Sequence, residues 1–128
     1  MIQQTDLLPL LVGSYPGLRD HLVHSVDQWL GETGSISACS LFAESGSLVS
    51  RRFTAGDFEG AEALFNLVER CLADGTEEVS NGAATCFLEN LMNQATIGSL
   101  AVPFLGPRSR EYCRAWDRFT GVNTKGLS

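Results

Sequence analysis

Apolar residues recur at intervals of three and four along almost the whole chain, the spacing that places them on one face of a helix. The clearest run is Phe58, Ala61, Leu64, Phe65, Val68, Cys71 and Leu72. No stretch alternates apolar and polar residues over the length of a strand. The turn-forming pairs Asp74-Gly75 and Asn81-Gly82 stand between helical patterns rather than between strands. The periodicity therefore predicts an all-α fold.

Glycine, proline and capping residues divide this pattern into short helices. The predicted helices cover residues 6–12, 16–30, 37–53, 58–72, 77–91, 97–105 and 107–119. Asp57 and Thr76 are predicted N-caps, and Gly121 is the predicted stop of the last helix. Gly46 lies in the middle of the third segment, which leaves open one helix or two shorter ones. We expect an irregular bundle of six or seven short helices, or a stack of helical hairpins.

The 128 residues suit a single domain. We predict one helical domain over residues 1–121 and a flexible C-terminal tail over residues 122–128, where the periodicity is lost. No apolar run is long enough to cross a membrane. The N-terminus carries no Lys or Arg before Arg19, and Pro9 interrupts its short apolar run, so it does not resemble a secretory signal. These features favour a cytoplasmic protein with no membrane partner.

The four cysteines show no spacing typical of a metal or redox motif. Cys39, Cys71, Cys86 and Cys113 are far apart, and no C-x-x-C pair occurs. Each falls within an apolar helical pattern, where a free thiol behaves as a small hydrophobic group. We expect four reduced thiols in the core; two disulfides are the alternative for an exported protein.

Acidic residues outnumber basic ones, and they concentrate in one part of the chain. The formal net charge is −6, and residues 57–89 hold eight acids against one base, Arg70. We define the acidic ridge as Glu59, Glu62, Asn66, Glu69, Asp74, Glu77 and Glu78. Such a surface can steer a basic protein into contact, although a solvated face that keeps the protein soluble explains the same residues. We expect the ridge to bind a basic protein partner, such as a cognate toxin, and the oligomeric state stays open.

The last predicted helix carries an aromatic stripe and a row of arginines. Tyr112, Trp116 and Phe119 lie on one face, and another face carries Arg110, Arg114 and Arg118. Nucleic-acid binding would use both sets; in a structural role the rings dock on the core and the arginines pair with carboxylates. Residues 1–106 have a net charge of −9, which repels a polyanion. We therefore expect the structural role and no nucleic-acid partner.

One further cluster favours a different function. Asp20, His24 and Asp27 lie at i, i+4 and i+7, so they share one helical face. They could bind a metal with a fourth ligand from another helix, or form the acid/base site of a small enzyme; otherwise the face is simply solvated. No G-x-S-x-G, P-loop, G-x-G-x-x-G or H-E-x-x-H motif occurs. We expect a protein that is not an enzyme and has no cofactor, with this cluster as the alternative.

Two segments of the C-terminal half resemble a known protein family. They are Phe87-Leu88-Glu89-Asn90-Leu91 and the run LGPRSREYCRAW at residues 105–116. Together they resemble a family of small, acidic, all-helical bacterial proteins of unknown function, over about residues 75–121. The resemblance implies a helical fold but no catalytic or ligand residues. Such proteins are similar to immunity proteins, which bind a toxin and block it, so the resemblance implies a binding protein that neutralises its partner by occlusion.

Overall fold

The computed structural model describes residues 1–25 and 36–127. Within these ranges the chain forms helices and no strand, and one isolated bridge joins the backbones of Ile2 and Gly75. The helices are α1 (Gln4–Ser14), α2 (Leu18–Ser25), α3 (Ala38–Thr54), α4 (Ala61–Asp74), α5 (Glu77–Asn81), a π-helix (Gly82–Leu88), α6 (Glu89–Met92), α7 (Ala95–Ala101), a 3-10 helix (Val102–Phe104) and α8 (Pro107–Thr120). None of these helices combines the length and the apolar character needed to span a bilayer. The predicted all-α, irregular bundle is confirmed.

The contact between α3 and the π-helix lies at the centre of the bundle. Gly82, the first residue of the π-helix, is buried. A Cβ at this position would lie 3.0 Å from the Phe42 ring and 3.3 Å from Ala38, so a side chain would press against α3. Phe42 and Phe87 meet edge-on in the core, with ring centroids 6.3 Å apart. The glycine therefore lets two helix backbones approach closely enough for these rings to pack.

Two predicted helices of the N-terminal half are now defined more closely. α3 runs unbroken from Ala38 to Thr54, so the alternative of two shorter helices is wrong. Gly46 lies on its buried face, where the Phe87 ring packs 3.7 Å from the position of a Cβ. The predicted helix over residues 16–30 is described as α2 up to Ser25, and its last part lies outside the described residues.

The structure pairs two of the four cysteines. Cys39 of α3 and Cys86 of the π-helix form a disulfide, with their Cα atoms 5.3 Å apart. Cys71 and Cys113 are free and buried. Burial raises the pKa of the Cys71 thiol to about 11 and that of the Cys113 thiol to about 12. The prediction of four reduced thiols is therefore wrong for Cys39 and Cys86, whose separation of 47 residues gives no local sequence signal.

α4 begins later than the sequence predicts. Its N-cap is Gly60, with a left-handed φ of +75°, rather than Asp57. Asp57 instead accepts a hydrogen bond from the backbone N–H of Glu59 at 3.1 Å, which forms a turn before the helix. Phe58 of this turn packs on Phe53, with ring centroids 4.9 Å apart, and stays 40% exposed. The turn thus presents a partly exposed aromatic ring next to Glu59.

The C-terminal segment packs against the body instead of extending from it. Thr124 donates its backbone N–H and its hydroxyl hydrogen to the Asp117 carboxylate, at 2.8 and 2.9 Å. Leu127 is 1% exposed, and its carbonyl accepts a hydrogen bond from Arg114 Nε at 3.0 Å. α8 ends where predicted, before a left-handed Gly121. Residues 124 and 127 of the predicted tail therefore contact α8, and the flexibility of residues 122–128 stays a prediction.

Gly56 and Gly60 provide a matched test of the turn between α3 and α4. Their φ values are +76° and +75°, and this conformation costs an L-residue about 1–2 kcal/mol. A Cβ at Gly60 would lie 2.5 Å from Pro16 Cδ, whereas one at Gly56 meets no atom within 4 Å. We expect Gly56→Ala to lower the free energy of unfolding by about 1 kcal/mol and Gly60→Ala by about 3 kcal/mol, measured by urea denaturation. Equal losses would show that Pro16 moves aside freely.

Candidate functional site

The acidic ridge is divided into two groups in the structure. Glu62 lies in the first turn of α4 and Asp74 is its last residue, which places them about 18 Å apart along the helix axis. Glu59 stands beside the first group. Glu77 and Glu78 lie in the first turn of α5 and extend the second group. The carboxylates of these two groups therefore lie near the two ends of α4.

Glu69, between these two groups, is used within the fold. Its carboxylate accepts hydrogen bonds from the backbone N–H groups of Arg108 and Ser109, at 2.9 and 3.0 Å, and from the Ser109 hydroxyl at 2.9 Å. α8 has no side-chain cap of its own, because its N-cap is Gly106. A carboxylate at a helix N-terminus satisfies free N–H groups and interacts favourably with the helix dipole. Glu69 thus caps α8 from a neighbouring helix.

The other members of the acidic ridge lie at the surface. The exposed ones are Glu59, Glu62, Asn66, Asp74, Glu77 and Glu78. The Asp74 carboxylate lies 3.7 Å from the amino group of Met1. In the part of the chain that the structure describes, no Lys or Arg forms an ion pair with any of these carboxylates. Like charges without counter-charges repel one another, so the carboxylates of this set other than Asp74 do not stabilise the fold by pairing.

The aromatic stripe of α8 is only partly buried. Tyr112 and Trp116 are half-buried; the Tyr112 hydroxyl donates to the Glu89 carboxylate, and Trp116 Nε1 donates to Asn93 at 3.3 Å. Burial and the neighbouring Glu89 raise the pKa of Tyr112 to about 12. Phe119 is 82% exposed and stacks on Trp116, with ring centroids 5.6 Å apart. The expected core packing is therefore wrong for Phe119.

Two arginines of α8 hydrogen bond to backbone carbonyls instead of carboxylates. Arg110 donates to the Val102 carbonyl and Arg114 to the Leu127 carbonyl, both at 3.0 Å. Over residues 1–25 and 36–127, neither guanidinium forms the ion pair that the sequence predicts. These bonds attach the 3-10 helix and the C-terminal segment to α8.

A second candidate site lies between α2 and α3, where two histidines have fixed partners. His21 Nε2 donates to the Glu44 carboxylate of α3 at 2.7 Å, and the two side chains are only 12% and 15% exposed. One turn further along α2, His24 Nδ1 lies 2.7 Å from the carbonyl oxygen of Asp20. Because a carbonyl oxygen only accepts, this ring nitrogen carries the hydrogen, and Nε2 is the nitrogen left for a ligand.

The structure describes two of the three predicted metal ligands. Asp20 and His24 share one face of α2, as the spacing predicts, and Asp27 lies outside the described residues. No group of three His, Cys, Asp or Glu side chains converges on a common point in the ranges that are described. The arrangement around His24 is instead set by its own helix and by α3.

The cleft between α2 and α3 has a cationic wall. Its volume is about 360 Å³, and the residues that line it are Gly17, Asp20, His21 and His24 on one side and Leu48, Arg51 and Arg52 on the other. Each set follows the i, i+3, i+4 spacing of a helix face. The sequence does not predict that this site includes Glu44, Arg51 and Arg52, because helical spacing does not say which face of one helix meets which face of another.

Tyr15 holds one of these arginines in place. The Arg52 guanidinium lies over the Tyr15 ring, 4.8 Å from its centroid, in a cation–π contact. The ring is fully buried, and its hydroxyl has no hydrogen-bond partner among the described residues. Burial raises the pKa of Tyr15, and the positive charge of Arg52 offsets part of this effect. The phenol therefore remains neutral and serves as a fixed surface for the guanidinium.

Comparison with known proteins identifies a family but no relative of known role. Residues 8–121 match the model of a family described as a domain of unknown function, DUF7674. No curated protein and no solved structure matches the chain. The family match spans both the acidic ridge and the cleft, and it gives a function to neither.

Two glutamates on the same face of α4 allow a test of the capping role, because Glu69 caps α8 and Glu62 is exposed. We expect Glu69→Ala to lower the free energy of unfolding by about 2 kcal/mol, because α8 loses the acceptor of its first N–H groups. Glu62→Ala is the control, and it should change the free energy of unfolding by less than about 0.5 kcal/mol. Urea denaturation followed by circular dichroism measures both values. A loss of the same size in both variants would contradict the capping role.

Proposed function

Since the chain belongs to a family of domains of unknown function, DUF7674, we propose a function from its own surface: it is a protein-binding module that neutralises or regulates a basic partner protein. One observation carries the proposal. Both ends of α4 present exposed carboxylates that no Lys or Arg of the described chain neutralises. They are Glu59, Glu62, Asp74, Glu77 and Glu78.

Uncompensated charges of one sign act over a distance before any contact forms. They raise the rate at which an oppositely charged protein meets this surface, and the effect weakens as salt shortens the Debye length from about 30 Å at 0.01 M to about 10 Å at 0.1 M. The two acidic groups are separated along α4, but attraction over such distances does not require a continuous ridge. The carboxylates thus favour encounter with a basic surface.

Affinity needs an apolar contact in addition to charge, because a few buried anchors supply most of the binding energy at interfaces. Phe58 meets this need. Its side chain is 40% exposed, and its ring packs on the Phe53 ring with the two centroids 4.9 Å apart. It also directly precedes Glu59 in the chain. An aromatic ring beside carboxylates suits a partner whose basic surface surrounds an apolar pocket.

The finer proposal is an immunity protein that blocks a bacterial toxin by occlusion, with the acidic groups covering a basic active-site surface. The acidity of the chain and its resemblance to small acidic bacterial proteins support this proposal. A cytoplasmic location is part of it. The disulfide between Cys39 and Cys86 counts against that location, because disulfides are typical of oxidising compartments.

Charge-matched variants test the role of the acidic groups. One variant replaces four carboxylates by amides: Glu59→Gln, Glu62→Gln, Glu77→Gln and Glu78→Gln. The control, Asp20→Lys with Glu111→Lys, changes charges at residues that are not members of the ridge, and both variants move the formal net charge from −6 to −2. We expect the first variant to bind its partner about tenfold more slowly at low salt, with stability unchanged or slightly raised, and the control to remain closer to wild type.

The partner is sought by co-purification with the products of neighbouring genes, and stopped-flow mixing at two salt concentrations then measures association. Equal association rates for the two variants would show that only total charge matters and that the ridge has no special role. Failure of every neighbouring product to bind, with no toxin-like reading frame beside the gene, would contradict the immunity proposal.

A further inference from the structure

The cleft between α2 and α3 brings positive charge together in an acidic protein. Arg51 and Arg52 line one wall, and within the described ranges neither guanidinium forms an ion pair with a carboxylate. Arginine side chains present a planar set of donors that matches carboxylate and phosphate oxygens. Two such groups without protein partners, at one cleft, are available for a ligand.

Arg52 is positioned by packing and not by a counter-charge. Its guanidinium lies over the buried Tyr15 ring at 4.8 Å. On another side it fills the space next to Gly17, where a Cβ would collide with it and where the backbone is left-handed, with a φ of +83°. A side chain held in this way loses little freedom when it binds, which favours affinity.

In the described chain, the acidic groups near the cleft form no ion pair with its arginines. Glu44 accepts the Nε2 hydrogen of His21 at 2.7 Å, so its carboxylate is directed to the imidazole. Asp20 lines the rim, and its backbone carbonyl accepts from His24. The lining of the cleft therefore carries two guanidiniums and one carboxylate, and the nearby Glu44 carboxylate is held by the His21 imidazole.

We propose that this cleft binds the phosphate group of a small organic phosphate monoester. A phosphate dianion offers three oxygens and two charges, which match two guanidiniums, whereas a carboxylate brings only one charge. His24 Nε2 and the Asp20 carboxylate are acceptors for hydroxyl hydrogens of the organic part. A volume of about 360 Å³ exceeds that of a bare ion and lies in the range of small-molecule sites.

Isothermal titration calorimetry of the full chain with glycerol 3-phosphate, in a buffer free of phosphate and sulfate, tests the site. We expect saturable binding at one site with a Kd of about 1 mM or tighter, displaced by inorganic phosphate and absent with glycerol. Arg51→Gln should weaken binding at least tenfold while the melting temperature stays the same, because Arg51 is exposed. The matched control Arg118→Gln removes the same charge from an exposed position on α8 and should leave the affinity within twofold.

Several results would overturn the proposal. The absence of saturable binding of glycerol 3-phosphate would do so directly. Equal weakening by Arg51→Gln and Arg118→Gln would show a general charge effect instead of a site. Wild-type affinity in a folded Arg51→Gln variant would place any bound phosphate elsewhere. Because no protein partner is needed, these outcomes are independent of the binding function proposed for the acidic groups.

Discussion

The close approach of α3 to the π-helix is the constraint on which the other contacts depend. Glycine at position 82 favours this approach, because a Cβ there would lie 3.0 Å from the Phe42 ring, and the approach brings Phe42 and Phe87 together in the core. α3 forms the arginine wall of the cleft, while the chain after the π-helix places Glu89 against Tyr112 of α8. A π-helix is rare in proteins and often occurs near functional sites.

Carboxylates in this protein have three different physical roles. Glu69 caps α8, Glu44 orients an imidazole, and the exposed groups at the ends of α4 have no Lys or Arg partner in the described chain. The first two contribute to structure because hydrogen-bond donors face them in partly buried surroundings. Exposed carboxylates contribute an external field instead. The formal net charge of −6 does not show that the charges are unevenly distributed. An acidic helix and an arginine-lined cleft lie on one small domain.

Local features of the structure could be predicted from the sequence, and contacts between distant segments could not. The helices, the Thr76 cap of α5 and the Gly121 end of α8 follow from spacing and capping chemistry within a few residues. The cap that Glu69 gives to Ser109 joins residues 40 apart, and the disulfide of Cys39 joins residues 47 apart. No periodicity encodes which helix faces meet, so the prediction of four free thiols is wrong for Cys39 and Cys86, and the arginine wall is not predicted.

Disulfide mapping tests the central contact, that of α3 with the π-helix, most directly. The air-oxidised protein is treated with a thiol-alkylating reagent in its native state, then unfolded without reductant, treated with a second reagent and digested. We expect one linked peptide pair containing Cys39 and Cys86, with Cys71 and Cys113 labelled only by the second reagent, because both thiols are buried and have raised pKa values. A disulfide between any other pair, or four free thiols after oxidation, would contradict the packing of α3 on the π-helix.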